Sequence, residues 1–265
     1  VELWLDGVES NLITHAASPA TPDVLSAFAA AYADIADPVR RLQELYITSN
    51  PNPTGSKHLL DAAGDGSEYS ALHGTYHGFY RDLLERYGYY DIFLINPEGD
   101  IVYTVFKELD FATNLVSGEY ADSGLAEAFR RGRELSQGDI AFVDYAPYAP
   151  SYGAPASFLS TPVFDSTGGL VGVLAYQLPS DRLLSLISNP EGLGDTGEIF
   201  LVGSDGLSRA GSRLDTVDGV LEPLPGLDLA DGNGTVEGAL IGVPGLAGFD
   251  VLSLRSSINV FGQTW

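Results

Sequence analysis

The 265-residue sequence contains no cysteine, which excludes disulfide scaffolds, thiol catalysis and zinc–thiolate sites. It also contains no methionine, and therefore no initiator residue, so we expect a processed chain or a piece of a longer protein. Lysine is scarce, since Lys57 and Lys107 are the two lysines among 13 cationic residues. No run of eighteen apolar residues occurs, and the sequence therefore predicts no transmembrane helix or signal peptide within the chain.

Positive charge is scarce as well, because 36 acidic residues outnumber the 13 cationic ones and leave a net charge of −23. A chain this acidic repels phosphate backbones, so nucleic acid is excluded as a partner. The acidity favours either a salty external medium or simple solubility, and the sequence does not separate the two.

The 45% of apolar residues is enough for a folded core, and the order of the predicted elements is helical first and then mostly strands. Asp23 is expected to cap a helix whose apolar positions keep helical spacing. Ser67 is expected to cap a longer helix that runs to Tyr87 and ends at Gly88.

After Gly88 the pattern predicts two hairpins separated by a short helix and a loop. The predicted strands are 89–95, 101–106, 140–145, 157–164 and 170–178, the predicted helices are 123–133 and 179–188, and the Pro/Tyr-rich loop is 146–155.

A weak internal repeat relates residues 91–99 to residues 198–206 at an offset of 107 positions. Either a duplicated module or the general similarity of acidic hairpins accounts for it, and we favour the duplication. In the second copy the last central strand is expected to begin near Trp265. We therefore expect the natural protein to continue beyond this residue and the second copy to be incomplete here.

The order of these elements resembles the double Cache (dCACHE, PAS-like) sensor domains of chemoreceptors, sensor histidine kinases and cyclases. The segments that carry the resemblance are 88–95, 106–111, 161–165 with 172–175, 192–203 and 208–213. It implies an α+β fold in which a long N-terminal helix packs on two tandem PAS-like modules with central antiparallel sheets. The implied domains are an N-terminal signalling helix with a helical connection (1–66), a membrane-distal module (67–180) and a truncated membrane-proximal module (181–265).

The resemblance further implies an extracytoplasmic, non-catalytic sensor domain of a membrane receptor. Its distal module would bind a small amine, amide or carboxylate, and helices would pass the change on to a cytoplasmic kinase, chemoreceptor or cyclase part. Flanking transmembrane helices and a homodimer are implied, and no cofactor is. The alternative is an extracellular solute-binding or partner-binding protein of the same fold without a signalling output. A hydrolase is disfavoured because no nucleophile–base pair or Gly-x-Ser-x-Gly turn is present.

The loop that begins at Asp144 is the most informative candidate for a ligand site. Tyr145, Tyr148 and Tyr152 could form its aromatic walls, and Asp144 could meet an ammonium group with help from cation–π contacts. The alternative is an ordinary Pro-rich surface loop whose tyrosines cover the sheet. The resemblance favours the pocket, since it places the ligand lid of the family here.

Strand alternation adds further candidates without showing which face lines the pocket. Phe142 shares a face with Asp144, and Tyr103 shares one with Lys107. Lys107 could bind a ligand carboxylate, although pairing with Glu108 or Asp110 at the surface is the favoured alternative.

Gln177 stands where amino-acid-binding members of the family carry an acid, because residues 172–177 read GVLAYQ. The Arg-x-Trp-Tyr signature of those members is also missing from the distal module. Both departures argue against an ordinary α-amino acid, and the neutral amide of Gln177 suits a neutral or hydrogen-bonded ligand.

Two further patterns are assigned to structure and not to chemistry. His73 and His77 share one helix face, as metal ligands would, but no third ligand is evident, so a core or surface role is favoured. The Gly-x-Gly-x-x-Gly string at 192–197 precedes a predicted strand, which is the wrong order for a dinucleotide site.

Overall fold

The structure is a computed structural model that describes residues 1–214, 216–217, 219–224, 238–244 and 250–265. The chain divides into two compact units. One is Val8–Pro179, and the other combines Val1–Gly7 with Ser180–Trp265. Residues 8–66, which the sequence assigns to a separate helical connection, thus belong to the same compact unit as the first sheet. Within the described residues, no helix is both long enough and apolar enough to cross a lipid bilayer.

Six α-helices are described. They are α1 (Glu2–Ala16), α2 (Ala20–Ala33), α3 (Pro38–Gln43), α4 (Glu68–Tyr87), α5 (Gly124–Gly132) and α6 (Ser180–Ile187), and a π-helix, Glu44–Thr48, continues α3.

The predicted limits of α4 are confirmed. The Ser67 hydroxyl accepts the backbone N–H of Ser70, and Gly88 ends the helix in the left-handed conformation at φ 72°. The predicted cap at Asp23 is wrong, because α2 begins at Ala20, directly after Pro19. Asp23 instead lies in the first turn, where its charge is favourable near the positive end of the helix dipole.

A five-stranded antiparallel sheet forms the centre of the unit Val8–Pro179, with the order β2-β1-β5-β4-β3. Its strands are β1 (Asp91–Ile95), β2 (Ile101–Thr104), β3 (Ala141–Pro147), β4 (Pro155–Phe164) and β5 (Leu170–Leu178). Both predicted hairpins are present, and this unit has the α+β fold with a central antiparallel sheet that the sequence predicts.

The register assigns the side chains of the sheet to two faces, because directly paired residues of adjacent antiparallel strands point the same way. Ile92 pairs with Tyr176, and Tyr176 with Leu159, on the face that packs against the helices. On this helix face the Tyr103 ring lies 4.9 Å from the Phe28 ring of α2 and 5.0 Å from the Tyr80 ring of α4.

The opposite face of the sheet, here called the outer face, carries Asp91, Gln177 and Phe158 in one row across β1, β5 and β4. Helix α5 covers part of this face by packing on β3, β4 and β5. The core on this side is a cluster of buried residues: Phe93, Ile95, Ile101, Leu115, Leu125, Ala126, Ala128, Phe129, Val143, Tyr148, Ala156, Phe158, Val173 and Ala175.

Histidines are part of the helix-side core. His73 and His77 are fully buried, and their rings stack 4.2 Å apart. Each donates one ring N–H to a backbone carbonyl, His73 to Asp61 and His77 to His58. Within the part of the chain that the structure describes, no group of three or more histidine or acidic side chains could hold a metal ion.

A pH dependence of stability follows from His15, which hydrogen-bonds the Tyr176 hydroxyl over 2.8 Å. Burial lowers the pKa of His15 to about 4. The folded state therefore keeps this ring neutral while the unfolded state takes up a proton below about pH 6.5. We expect this group alone to remove about 1.5 kcal/mol of unfolding free energy between pH 6.5 and pH 5. Chemical denaturation at both pH values should show a smaller loss for His15→Asn, and an equal loss in both proteins would contradict the assignment.

The second unit contains two short two-stranded sheets in its described part. The hairpin of β6 (Gly238–Pro244) and β7 (Asp250–Arg255) is one, and β8 (Asn259–Val260) with β9 (Gln263–Thr264) is the other. The strand predicted from the repeat at 198–203 is wrong, since only an isolated bridge joins Val202 to Ser208. The sequence similarity of this segment to β1 does not suffice to form a strand, because a strand also requires a partner along its length.

Candidate functional site

A buried polar cluster lies against the outer face of the sheet and consists of Asp91, Glu108, Asp110, Tyr148 and Gln177. Asp91, Asp110, Tyr148 and Gln177 are each at most 3% exposed. We call residues 144–155 the lid loop and residues 107–110 the acidic loop. Charged and polar groups at this depth require partners, so their contacts indicate what the site can accommodate.

Asp91 is the first residue of β1, and its carboxyl group hydrogen-bonds to the end of β2 and the residues that follow it. Its Oδ1 accepts the backbone N–H groups of Val105 (2.9 Å) and Phe106 (3.0 Å), and its Oδ2 accepts the Thr104 hydroxyl. The predicted strand 101–106 therefore ends at Thr104, where a side chain replaces the ladder as the hydrogen-bond partner. Burial raises the pKa of Asp91 to about 7 despite these hydrogen bonds.

Lys107 is buried, so the favoured prediction that it pairs with Glu108 or Asp110 at the surface is wrong. Its backbone adopts φ 65°, and its Nζ donates to the Thr104 carbonyl. The ammonium lies 4.5 Å from the centre of the Tyr103 ring and 4.8 Å from that of Phe111. Burial lowers the pKa of Lys107 to about 7, although the charge of Asp91 opposes this shift. The lysine is thus enclosed by aromatic rings.

The lid loop is held closed by two side-chain hydrogen bonds to the acidic loop. The Tyr148 hydroxyl donates to Asp110 Oδ2 over 2.5 Å, and the Ser151 hydroxyl donates to Glu108 Oε2 over 2.5 Å. The Tyr148 ring packs edge-on to Phe158 of β4, with the ring centres 5.0 Å apart. Tyr148 thereby fills the space between the lid loop and the sheet.

Two buried oxygen atoms of the polar cluster have no hydrogen-bond partner. They are Oδ1 of Asp110 and Oε1 of Gln177. Burial, with the neighbouring charges of Asp91 and Glu108, raises the pKa of Asp110 to about 8 even though Tyr148 hydrogen-bonds to it. Buried polar atoms without partners are uncommon in folded proteins, so each of these two atoms marks a position where a polar partner is missing.

Tyr148 and Gln177 are the predicted site residues that the structure brings to the outer face. Tyr103 lies on the helix face, where its hydroxyl bonds His77 Nδ1 over 2.7 Å. Phe142 pairs with Leu159 and therefore also belongs to the helix face.

The remaining predicted residues follow Phe142 along the chain. Asp144 is half-buried and accepts the backbone N–H of Tyr145, whose side chain is buried. Tyr152 is 74% exposed at the tip of the lid loop, so it does not form a wall of the polar cluster.

Sequence reasoning missed Asp91, Glu108 and Asp110 as members of the site. A signal was present for two of them, because Asp91 and Asp110 stand directly beside apolar residues in stretches that are expected to be buried. An acid inside such a stretch is costly to bury without a purpose, and this cost singles it out.

No family model and no curated protein matches this sequence. Several solved structures are similar to it. The periplasmic sensory domain of the Campylobacter jejuni chemoreceptor Tlp1 shares 14% identity at a TM-score of 0.47, with 99% of this chain and 94% of that chain covered. An extracellular ligand-binding receptor from Desulfohalobium retbaense shares 16% identity at a TM-score of 0.46; 96% of this chain is covered, but the match spans only 38% of that protein.

The ligand-binding domain of the Pseudomonas aeruginosa amino acid chemoreceptor PctC, solved with GABA, shares 16% identity at a TM-score of 0.41, with 65% of this chain and 68% of that chain covered. Histidine kinase sensor domains are also among the similar structures. The similar structures named here thus include the periplasmic sensory domain of a chemoreceptor, an extracellular ligand-binding receptor and the sensor domain of a histidine kinase.

Proposed function

We propose that this chain is the extracytoplasmic sensor domain of a membrane receptor and binds a small polar molecule beneath the lid loop. The observation that carries the proposal is a pair of buried oxygen atoms without a hydrogen-bond partner. They are Oδ1 of Asp110, whose other carboxyl oxygen accepts the Tyr148 hydroxyl, and Oε1 of Gln177 on the outer face of the sheet. A site closed over unsatisfied polar atoms suits a ligand that enters when the lid loop opens and supplies the missing hydrogen-bond partners.

A route for the signal begins at Gln177. This residue lies near the end of β5, and the chain continues through Pro179 directly into α6. A ligand that holds Gln177 and the lid loop in one arrangement biases the start of that helix. The free energy available for this bias is the difference between the affinities of the ligand for the two arrangements. In the proposal, flanking transmembrane helices and a second copy of the chain complete the receptor.

The test is thermal unfolding of the chain in the presence of a panel of small amines, amides and carboxylates. A ligand at 100 times its dissociation constant adds about 2.7 kcal/mol of stability. For a protein of this size we expect Tm to rise by roughly 5–10 °C.

The variant Tyr148→Phe locates the binding event. It keeps the ring against Phe158 but removes the hydrogen bond to Asp110, and we expect the dissociation constant of the ligand to change at least fivefold. Tyr87→Phe, on the exposed end of α4, is the matched control and should behave as the wild-type chain does. A ligand whose affinity is the same in all three proteins would contradict a site beneath the lid loop.

A further inference from the structure

Residues 57–61, here called the strap, lie against helix α4 and are fastened to it by two buried histidines. Nδ1 of His73 hydrogen-bonds to the backbone carbonyl of Asp61 over 2.5 Å. Nε2 of His77 hydrogen-bonds to the backbone carbonyl of His58 over 2.6 Å. Both histidines are fully buried, so the strap and the solvent-excluded rings depend on each other.

These hydrogen bonds determine which nitrogen of each ring carries the proton. A carbonyl oxygen can only accept, so His73 has its N–H at Nδ1 and His77 has its N–H at Nε2. In the neutral His77 ring the other nitrogen, Nδ1, accepts the Tyr103 hydroxyl over 2.7 Å. In the neutral His73 ring the other nitrogen, Nε2, is a bare lone pair. The neutral form of both rings therefore fits all of the contacts that the strap makes with them.

A second proton on either ring would disturb this arrangement. On His73 it would lie on Nε2, which is buried and has no hydrogen-bond partner among the described residues. On His77 it would lie on Nδ1, and the Tyr103 hydroxyl would have to turn away and lose its acceptor. A buried donor without an acceptor loses the hydrogen bond that water would give it, so the closed strap disfavours protonation of either histidine.

The charges around the two rings act in the same direction. The rings stack with their centres 4.2 Å apart, so two protonated rings would repel each other. Burial and then the charge of Lys107 are the main causes that lower the pKa of His77 to about 3 and hold the pKa of His73 well below its ordinary value. The charge of Arg81 adds to both effects.

No carboxylate is free to neutralise a protonated ring among the groups that face the two histidines in the described structure. The carboxylate of Asp61 is paired with Arg81 Nη1 over 2.6 Å. The titratable and charged groups around the rings come from the strap, α4, the π-helix, β2 and the acidic loop, and they are His58, Asp61, Tyr69, Arg81, Tyr46, Tyr103 and Lys107.

We propose that the strap is acid-sensitive: it stays on α4 while His73 and His77 are neutral, and its opening takes up one proton on each ring. Opening separates the rings from the strap carbonyls and admits water, so each ring can accept the proton that the closed arrangement excludes. Acid therefore shifts the population towards the open strap. This proposal is independent of the proposed function, because it requires no ligand.

The size of the expected effect follows from the ordinary behaviour of histidine. In the open strap each ring titrates near pH 6.5, whereas in the closed strap neither ring takes up a proton above pH 5. Each histidine then raises the equilibrium constant for opening about eightfold between pH 6 and pH 5, and the two together raise it about 60-fold. His58, whose Nδ1 is also buried without a partner, can only add to this rise.

Amide hydrogen exchange of the intact chain between pH 7.5 and pH 5 provides the test. The probes are the backbone N–H groups of Leu59 and Leu60, which donate to the carbonyls of Ser56 and Lys57. The exchange rate divided by the intrinsic rate at the same pH gives the equilibrium constant for opening. We expect it to rise at least about 60-fold from pH 6 to pH 5.

Two results of this measurement would overturn the proposal. One is a rise of about eightfold or less, which would mean that at most one histidine takes up a proton. The other is exchange of the β5 amides at the same rate as the strap amides, which would mean that the strap opens only when the whole unit unfolds.

Variants assign the protons to individual rings. Asparagine at position 73 and glutamine at position 77 each keep a donor near the nitrogen that bonds the strap, and neither titrates. We expect His73→Asn and His77→Gln each to reduce the rise from about 60-fold to about eightfold. His15→Asn is the matched control, because His15 is a buried histidine that hydrogen-bonds to Tyr176 of β5, and it should keep the full rise.

Circular dichroism and Tm check the fold of each variant. A folded His73→Asn or His77→Gln protein that keeps the full rise would overturn the role of that histidine. If neither variant folds, the pH dependence of the wild-type strap amides decides the proposal by itself, since it counts the protons without any substitution.

Discussion

Replacing Gly172 by alanine is expected to destabilise the unit Val8–Pro179 by about 3 kcal/mol or more. Gly172 lies in β5 with φ 157°, where side chains are rarely accommodated. An added Cβ would lie 2.2 Å from the carbonyl oxygen of Ile95 and 2.9 Å from Leu25 of α2. The Ile95 oxygen is backbone of the neighbouring strand, so the strand itself would have to move.

Urea denaturation measures this loss of unfolding free energy. In thermal unfolding, the same loss should lower Tm by roughly 6–12 °C. Gly78→Ala is the matched control. Gly78 lies inside α4 with open space around it, and alanine there should be neutral or stabilising by up to about 1 kcal/mol. A Gly172→Ala protein within about 0.5 kcal/mol of the wild-type chain would mean that β5 does not approach Ile95 in this way.

Replacing Asp91 by alanine is expected to cost a similar amount, about 3 kcal/mol or more, for a different reason. The carboxylate accepts backbone N–H groups of Ile92, Val105 and Phe106, and it also accepts the Thr104 hydroxyl. Val105 N–H would keep its second bond, to the Ile92 carbonyl (3.2 Å), but alanine would remove the Asp91 acceptor from the other donors. Each buried donor left without an acceptor costs about 1–3 kcal/mol unless water reaches it.

Asp91→Asn separates the hydrogen bonds from the charge. Its amide oxygen can still accept the backbone donors, so we expect a smaller loss than for alanine, of about 1 kcal/mol. Asp82→Ala is the surface control and should lie within about 0.5 kcal/mol of the wild-type protein. If Asp91→Ala unfolds at the same denaturant concentration as Asp82→Ala, Asp91 does not fasten β1 to the end of β2.

The elements that could be predicted from the sequence are those that local chemistry determines. Ser67 and Gly88 mark both ends of α4, and the turns at 96–100 and 165–169 mark the hairpins that build the sheet. The failures occurred where local chemistry competes with packing. The segment 198–203 has the apolar pattern of β1, but among the described residues its pairing is limited to a short bridge between Val202 and Ser208. Helix α2 starts before the capping position predicted at Asp23.

The site could be predicted only in part, because strand alternation does not show which residues lie on the helix face of the sheet and which on the outer face. Tyr148 and Gln177 were found, but the face of Tyr103 depends on the pairing of β1 with β2. Lys107 follows a strand, yet its left-handed backbone turns it among aromatic rings. A bulge between Val143 and Ala146 also disrupts the simple alternation along β3. These features depend on long-range contacts that no local pattern records.

In the proposed site, the hydrogen bond between Tyr148 and Asp110 competes with the ligand for the same carboxyl group. Whatever approaches Asp110 must contend with a tyrosine hydroxyl that is tethered next to it and never diffuses away. The apparent affinity is then the intrinsic affinity multiplied by the fraction of molecules in which the lid loop is open. A small change at Ser151, which holds the same loop and lies outside the polar cluster, would shift the concentration range over which the ligand binds without removing a side chain of the site.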